Sequence, residues 1–312
     1  MKKKKKKSSG YVLARVPIPD SPCVHFSGLV AVGSNIYNIG ESINFSLSSS
    51  VSVLDCRSHT WREAPSLPVK LISLSASVFD RKIYVAGAAG RYNDVRSDNL
   101  KTSLEVFDTK TQTWDPEPIP CSEIKDSFNC RSIWIDGKFH VATHKDLFAY
   151  KSKEGRWDTV EPRQAMHHYL YSDSYCKIDN VLYSASDGAF RWYDTDISMW
   201  RNLVGLPKLL HLGYRVRLAD YGGKLAVLWE EELPYYSGTS LRYEKMIWCA
   251  EISLERRKSW EIWGKVEWVD HMLTVPRTYE LNNYGETTLL NDFDDNHDFL
   301  DNGIPKLCLD RQ

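Results

Sequence analysis

The chain writes one short phrase three times: "VLDCRSHTW" (53–61), "VFDTKTQTW" (106–114) and "WYDTDISMW" (192–200). In each copy an aspartate stands six residues before a tryptophan, which pairs Asp55 with Trp61, Asp108 with Trp114 and Asp194 with Trp200. A fourth copy, "FAYKSKEGRW", keeps the spacing with Lys151 ahead of Trp157. Self-similarity at a period of roughly 20 to 50 residues restricts a fold to an array of one repeated supersecondary unit.

Ahead of each tryptophan lie two short apolar runs around a tight turn. They are "LVAVGSNIYNIG" (29–40), "SASVFDRKIYVAG" (75–87), "RSIWIDGKFHVAT" (131–143) and "SYCKIDNVLYSAS" (174–186). A fifth, "RLADYGGKLAVLW" (217–229), leads to "IWCAEISLERRKSWEIW", which ends at Trp263. The turns hold Gly33-Ser34-Asn35, Asp80-Arg81, Asp136-Gly137, Asp179-Asn180 and Gly222-Gly223, residues that tolerate positive φ or bond their own backbone. The flanking runs are β-branched and aromatic and read as strands. Each unit is then a four-stranded meander whose fourth strand starts at the tryptophan. A single such sheet cannot bury both faces, so the units must stack. A radial array of twisted sheets, an all-β propeller, stacks them while keeping exposed edges short.

The units resemble kelch repeats, and their arrangement is similar to the kelch domain of plant F-box/kelch-repeat proteins. The aromatic-Asp…Trp phrases, the second strands "IYNIG" and "IYVAG", the segment "WREAPSLP" (61–68) and the closing "EIWGKVEWVDHMLTVP" (261–276) carry the resemblance. A kelch unit usually ends its second strand in two glycines. Here those positions are Gly40-Glu41, Gly87-Ala88, Thr143-His144, Ala185-Ser186 and Trp229-Glu230, so the repeat is degenerate. Five units are visible. The resemblance implies a six-bladed parent design with one blade incomplete, and five blades is the alternative. Residues 11–22 read as an orphan last strand that residues 265–275 could join.

The expected organisation is a disordered basic N-terminus (1–10), a kelch propeller (11–280) and a polar, acidic, disordered tail (281–312). The lysine run Lys2–Lys7 reads as a solvated linker, and "NDFDDNHDFLDN" (291–302) is polar and acidic. The F-box that the resemblance implies, a short helical segment docking an adaptor of a ubiquitin ligase, is not recognisable in the ten residues before Tyr11. Adaptor and cullin-ligase binding are therefore implied by the family alone.

Composition narrows the function classes. The net charge of the 312 residues is −1, and no basic stripe runs along the strands, which argues against specific nucleic-acid binding. No apolar run approaches the roughly 20 residues of a membrane-spanning helix. Seven cysteines are scattered without a C-x-x-C pair, a usage that fits a reducing compartment, and the expected location is the cytoplasm or nucleus.

The sequence holds no nucleophile elbow, Walker loop, zinc-binding H-E-x-x-H or dinucleotide fingerprint. "GAAG" (87–90) reads as a loop rather than a phosphate cradle. His140 and His144 fall on and just after a strand, where four residues span about 13 Å, too far to share one ion. His167 and His168 read as loop contacts. The aspartates read as bonding their own turns, and Trp61, Trp114, Trp157, Trp200 and Trp263 as wedges between sheets.

Neither a cofactor nor a metal is implied, and the chain reads as a non-catalytic, monomeric protein-interaction module. The resemblance implies that it recognises protein substrates for a ubiquitin ligase. A propeller enzyme or small-ligand binder using the central channel is the alternative. In repeat folds insertions collect on the binding face. The longest segments between second and third strands contain "GRYNDVRSDN" (90–99) and "EEELPYYSGTSLRYEK" (230–245), read as loops. Their Arg91, Tyr92, Arg96, Tyr235, Tyr236 and Arg242 are of the types enriched at binding hot spots, and form the expected partner-binding rim.

Overall fold

A computed structural model describes residues 22, 28–40, 48–89, 101–124, 130–143, 146–151, 154–160, 174–186, 188–209, 216–238 and 240–275. They form twenty strands in five sheets, each of four antiparallel strands in sequence order. The first sheet holds β1 (Leu29–Val32), β2 (Asn35–Ile39), β3 (Val51–Asp55) and β4 (Thr60–Glu63). The second holds β5 (Leu71–Phe79), β6 (Lys82–Ala89), β7 (Lys101–Asp108) and β8 (Thr113–Trp114). The third holds β9 (Arg131–Ile135), β10 (Lys138–Ala142), β11 (Leu147–Lys151) and β12 (Arg156–Val160). The fourth holds β13 (Tyr175–Ile178), β14 (Val181–Ser186), β15 (Ala189–Asp194) and β16 (Met199–Asn202). The fifth holds β17 (Val216–Tyr221), β18 (Lys224–Ser237), β19 (Ser240–Lys258) and β20 (Glu261–Val275).

The first hairpin of each unit turns on two residues, and their chemistry is visible in the backbone. Asp80 and Arg81 have φ of 45° and 60°, Asp136 and Gly137 51° and 68°, Asp179 and Asn180 47° and 63°, Gly222 and Gly223 62° and 82°. A left-handed pair matches the right-handed twist of the strands it joins.

The second hairpin, which joins the third and fourth strands of a sheet, explains the repeated aspartate. Asp55 Oδ1 accepts the Arg57 amide at 2.8 Å, Asp108 Oδ1 the Lys110 amide at 2.8 Å, and Asp194 Oδ1 the Asp196 amide at 3.2 Å. The residue four places on then bonds back, His59 N to Asp55 O and Gln112 N to Asp108 O, both at 2.9 Å. That residue is left-handed: His59, Gln112 and Ser198 have φ of 58°, 57° and 53°. The third sheet has Lys151 where the aspartate belongs, and there the left-handed position is a glycine, Gly155 at φ 63°.

The structure differs from the sequence reading at one of these strands. Gly87, Ala88 and Ala89 are not in a loop but continue β6, paired with Ser103, Thr102 and Lys101. A side chain on Gly87 would meet Leu71 and Leu74 at 3.1 Å, a close approach that the glycine relieves. Residues 265–275 lie within β20 and pair with β19, completing the fifth sheet. Of residues 11–22, offered as their partner, all but Pro22 lie outside the described residues, as do residues 1–10 and 281–312.

The described residues fall into two compact units, the first three sheets and the last two. In the first unit, Tyr37, Ile39 and Val53 pack on Leu71, Ile83 and Val85 of the second sheet. Ala86 and Leu104 pack on Trp134, Phe139 and Val141 of the third. Burying a side chain such as Phe107 or Phe139 completely contributes about 1.5–3 kcal/mol. Backbone and side-chain bonds align the sheets. Ser48 and Leu71 exchange amide bonds at 3.1 and 3.0 Å, and the Ser132 amide donates to Ser75 Oγ at 2.9 Å.

In the second unit, Trp192, Tyr183 and Phe190 pack with Leu218, Val227 and Ile252. Ser174 Oγ donates to Val216 O at 2.7 Å, and Val204 pairs with Trp263 in an isolated parallel bridge. Gly205, at φ 86°, lies beneath that tryptophan, whose ring would stand 2.6 Å from any added Cβ.

Candidate functional site

The segment 230–245, read from the sequence as a loop, is a β-ribbon. Its strands are the outer parts of β18 and β19, paired without interruption from Glu231↔Met246 to Ser237↔Ser240. The described partners of β18 in β17 stop at Trp229, and those of β19 in β20 stop at Lys245. Beyond these the two strands continue as an arm, turning at Gly238, which has φ 64°.

Directly paired residues of an antiparallel ribbon share a face. One face carries Leu233 opposite Glu244 and Tyr235 opposite Arg242. The other carries Pro234 opposite Tyr243 and Tyr236 opposite Leu241. Leu233, Tyr235, Tyr236, Leu241 and Tyr243 are all exposed, Tyr236 to 77% of its surface. That concentration of large apolar side chains on one short element is the strongest interaction signature among the described residues. Of the residues proposed as a rim, Tyr235 and Arg242 come together as a cross-strand pair, and Tyr236 points to the opposite face. Arg91, Tyr92 and Arg96 lie outside the described residues. Leu233, Leu241 and Tyr243 were missed. The alternation Leu241-x-Tyr243 beyond Gly238 was the available signal.

The repeated residues serve the scaffold geometry. Trp61 pairs with Leu54, Trp114 with Phe107, Trp157 with Tyr150 and Trp200 with Tyr193 across their hairpins. The last three pairs bring ring centres to 4.9, 5.0 and 5.3 Å. Trp114 and Trp157 also donate Nε1–H to carbonyls of the preceding sheet's exit segment, Pro65 at 2.8 Å and Pro120 at 2.6 Å. The Arg57 and Lys110 amides hold the Asp55 and Asp108 carboxyls below the usual range. Asp194 is buried and accepts Arg201 Nε at 2.7 Å. Each carboxylate is thus committed to its own hairpin.

His140 sits on β10, and burial lowers its pKa to about 4, so the ring is neutral near neutral pH. His144, His167 and His168 lie outside the described residues. Burial pushes the thiols of Cys130 and Cys249 up to about 12 and that of Cys121 to about 11. Among the described residues no group of three His, Cys, Asp or Glu side chains is placed to hold a metal ion.

Known proteins are similar to this chain in sequence. A family model described as the FKB95 kelch-repeats domain matches residues 1–273. One F-box/kelch-repeat protein of Arabidopsis thaliana is 58% identical over 283 residues, covering 88% of this chain and 74% of the relative. A second is 53% identical over 278 residues, 87% of this chain and 69% of the relative. A third is 50% identical over 287 residues, 88% of this chain and 68% of the relative. The four-stranded sheets are therefore the blades of a kelch-type β-propeller, and the chain belongs to the plant F-box/kelch-repeat family.

Proposed function

We propose that the chain is a non-catalytic protein-interaction module that recognises substrate proteins for a cullin-type ubiquitin ligase, with the β18–β19 arm as part of its recognition surface. The arm carries the reading. Its Tyr235, Tyr236, Leu241 and Arg242 are exposed, and aromatic and arginine anchors of this kind dominate binding energy when a partner covers them. The F-box/kelch-repeat names of the relatives support the ligase context. The module acts in the cytoplasm or nucleus as a monomer, and takes Arg91, Tyr92 and Arg96 as a further part of the rim.

The test is proximity labelling in plant cells with the chain and with its Tyr235→Ala/Tyr236→Ala/Arg242→Ala variant. A protein enriched by the first and not by the second is then purified and its affinity for both is measured. A loss of affinity of at least about tenfold in the variant supports the reading, as does slower turnover of that protein when the chain is depleted. Equal affinity for the two, or unchanged turnover, overturns it.

A further inference from the structure

Three consecutive cations close β19 at the end remote from the arm, and each lies over a different tryptophan. Arg256 Cζ stands 4.9 Å from the ring centre of Trp192, Arg257 Cζ 4.1 Å from that of Trp263, and Lys258 Nζ 5.6 Å from that of Trp260. Side chains alternate along a regular strand, so three neighbours would not ordinarily each find a ring. A register shift between Arg256↔Ile262 and Lys258↔Glu261 breaks the alternation and leaves Arg257 as the extra residue. Arg256 Nη1 also donates to the Ser259 carbonyl at 2.8 Å, which pins the turn.

The local charge is inverted relative to the first, second and fourth blades, a trait shared with Lys151 of the third. Six residues ahead of the tryptophan, three blades have aspartate, whereas the fifth has Arg257. One carboxylate, Glu255, approaches Arg257 at 3.0 Å, and most of the five donors of the guanidinium remain available. Trp260 occupies the turn itself with 56% of its surface exposed.

We propose that this hairpin end is a second interaction surface, which takes an acidic segment of a protein partner. Carboxylates dock on Arg257 and Lys258, and an apolar residue of the same segment covers Trp260. Cations already held over aromatic faces lose little freedom on binding, and arginine matches a carboxylate bidentately. A nucleic acid would need cations continuing along its backbone. Here Glu255 and Glu261 flank the tip, one on each strand, and break such a track. This surface stands independently of the arm.

The probe is a short fluorescein-labelled peptide of aspartates flanking one phenylalanine, titrated against the full chain beside its asparagine-for-aspartate twin. The expected result is saturable binding of the acidic peptide that weakens as salt is raised, with the twin at least about tenfold weaker. Arg257→Gln/Lys258→Gln and, separately, Trp260→Ser each weaken the acidic peptide by about tenfold, with circular dichroism spectra unchanged. No binding, equal binding of the twin, or affinity indifferent to both variants overturns the proposal. So does a duplex DNA fragment that binds more tightly than the peptide and is lost in the double variant.

Discussion

The indole nitrogen of Trp114, in the second blade, donates to the carbonyl oxygen of Pro65, 2.8 Å away in the segment that leaves the first blade. Trp157 repeats the bond to Pro120 one blade further on. The ring itself lies on Phe107 across its own hairpin, so one side chain stabilises a blade and fastens it to its neighbour. Trp114→Phe keeps the ring contact and loses the bond. It should lower unfolding free energy by about 1 kcal/mol. Trp114→Ala loses both and should cost about 3 kcal/mol. Urea denaturation measures each, and equal costs for the two variants would contradict the division of labour.

The left-handed residue of the second hairpin predicts opposite effects in two blades. His59 adopts φ 58° without a glycine's freedom, whereas Gly155 holds the same place at φ 63°. His59→Gly should raise stability by about 0.5–1 kcal/mol, and Gly155→Ala should lower it by about 1 kcal/mol. Denaturation midpoints of the two variants should move to opposite sides of the parent value.

These hairpins show why so much of the fold was legible. Asp136-Gly137 and Asp179-Asn180 announce left-handed turns by chemistry that acts within two residues. The Asp-to-Trp spacing likewise reports bonds closed inside one hairpin. The arm was harder to read because both its faces are exposed. Leu233, Tyr235 and Tyr236 show no apolar-polar alternation, and Pro234 argues locally against a strand. Its strand character comes from the long pairing of β18 with β19, which no short window reports. The bulge at Arg257 is hidden for the same reason: it exists only relative to Ile262 and Glu261 on the partner strand.

His140 should make the fold sensitive to mild acid. Burial is the main cause of its lowered pKa of about 4, against an ordinary value of 6.5. The folded state holds the neutral ring, so its contribution is fully present above pH 6.5. It is lost progressively as pH falls toward 4, because the unfolded chain binds the proton first. Between about pH 7.5 and about pH 5 the parent should lose about 2 kcal/mol relative to His140→Gln. Urea titrations of both proteins at the two pH values give the double difference directly, and a value near zero would contradict the buried neutral ring.

The buried thiols should be inert in the folded protein. Cys130 Sγ donates to the Ala86 carbonyl at 3.3 Å, and burial lifts its pKa to about 12. At about pH 8 its thiolate fraction is more than about a thousandfold below that of an ordinary cysteine. Iodoacetamide followed by mass spectrometry should leave Cys130 and Cys249 unmodified in native protein and label both in urea. Rapid native labelling of Cys130 would place it at the surface, against the packing of the second and third blades.

The arm and the sheet that bears it are parts of the same strand with different energetic roles. Leu228 is buried within the fifth sheet, 2% exposed, whereas Tyr236 is 77% exposed eight residues later on β18. Truncating the first leaves a cavity and should cost about 2–5 kcal/mol as Leu228→Ala. Truncating the second removes almost no intramolecular contact. Tyr236→Ser and Leu241→Ser should each shift stability by less than about 0.5 kcal/mol. An arm that folds as well without its apolar side chains has no structural reason to carry them. If instead these changes destabilised the chain as much as Leu228→Ala, the arm would be packed against the protein itself, and its side chains would belong to a core.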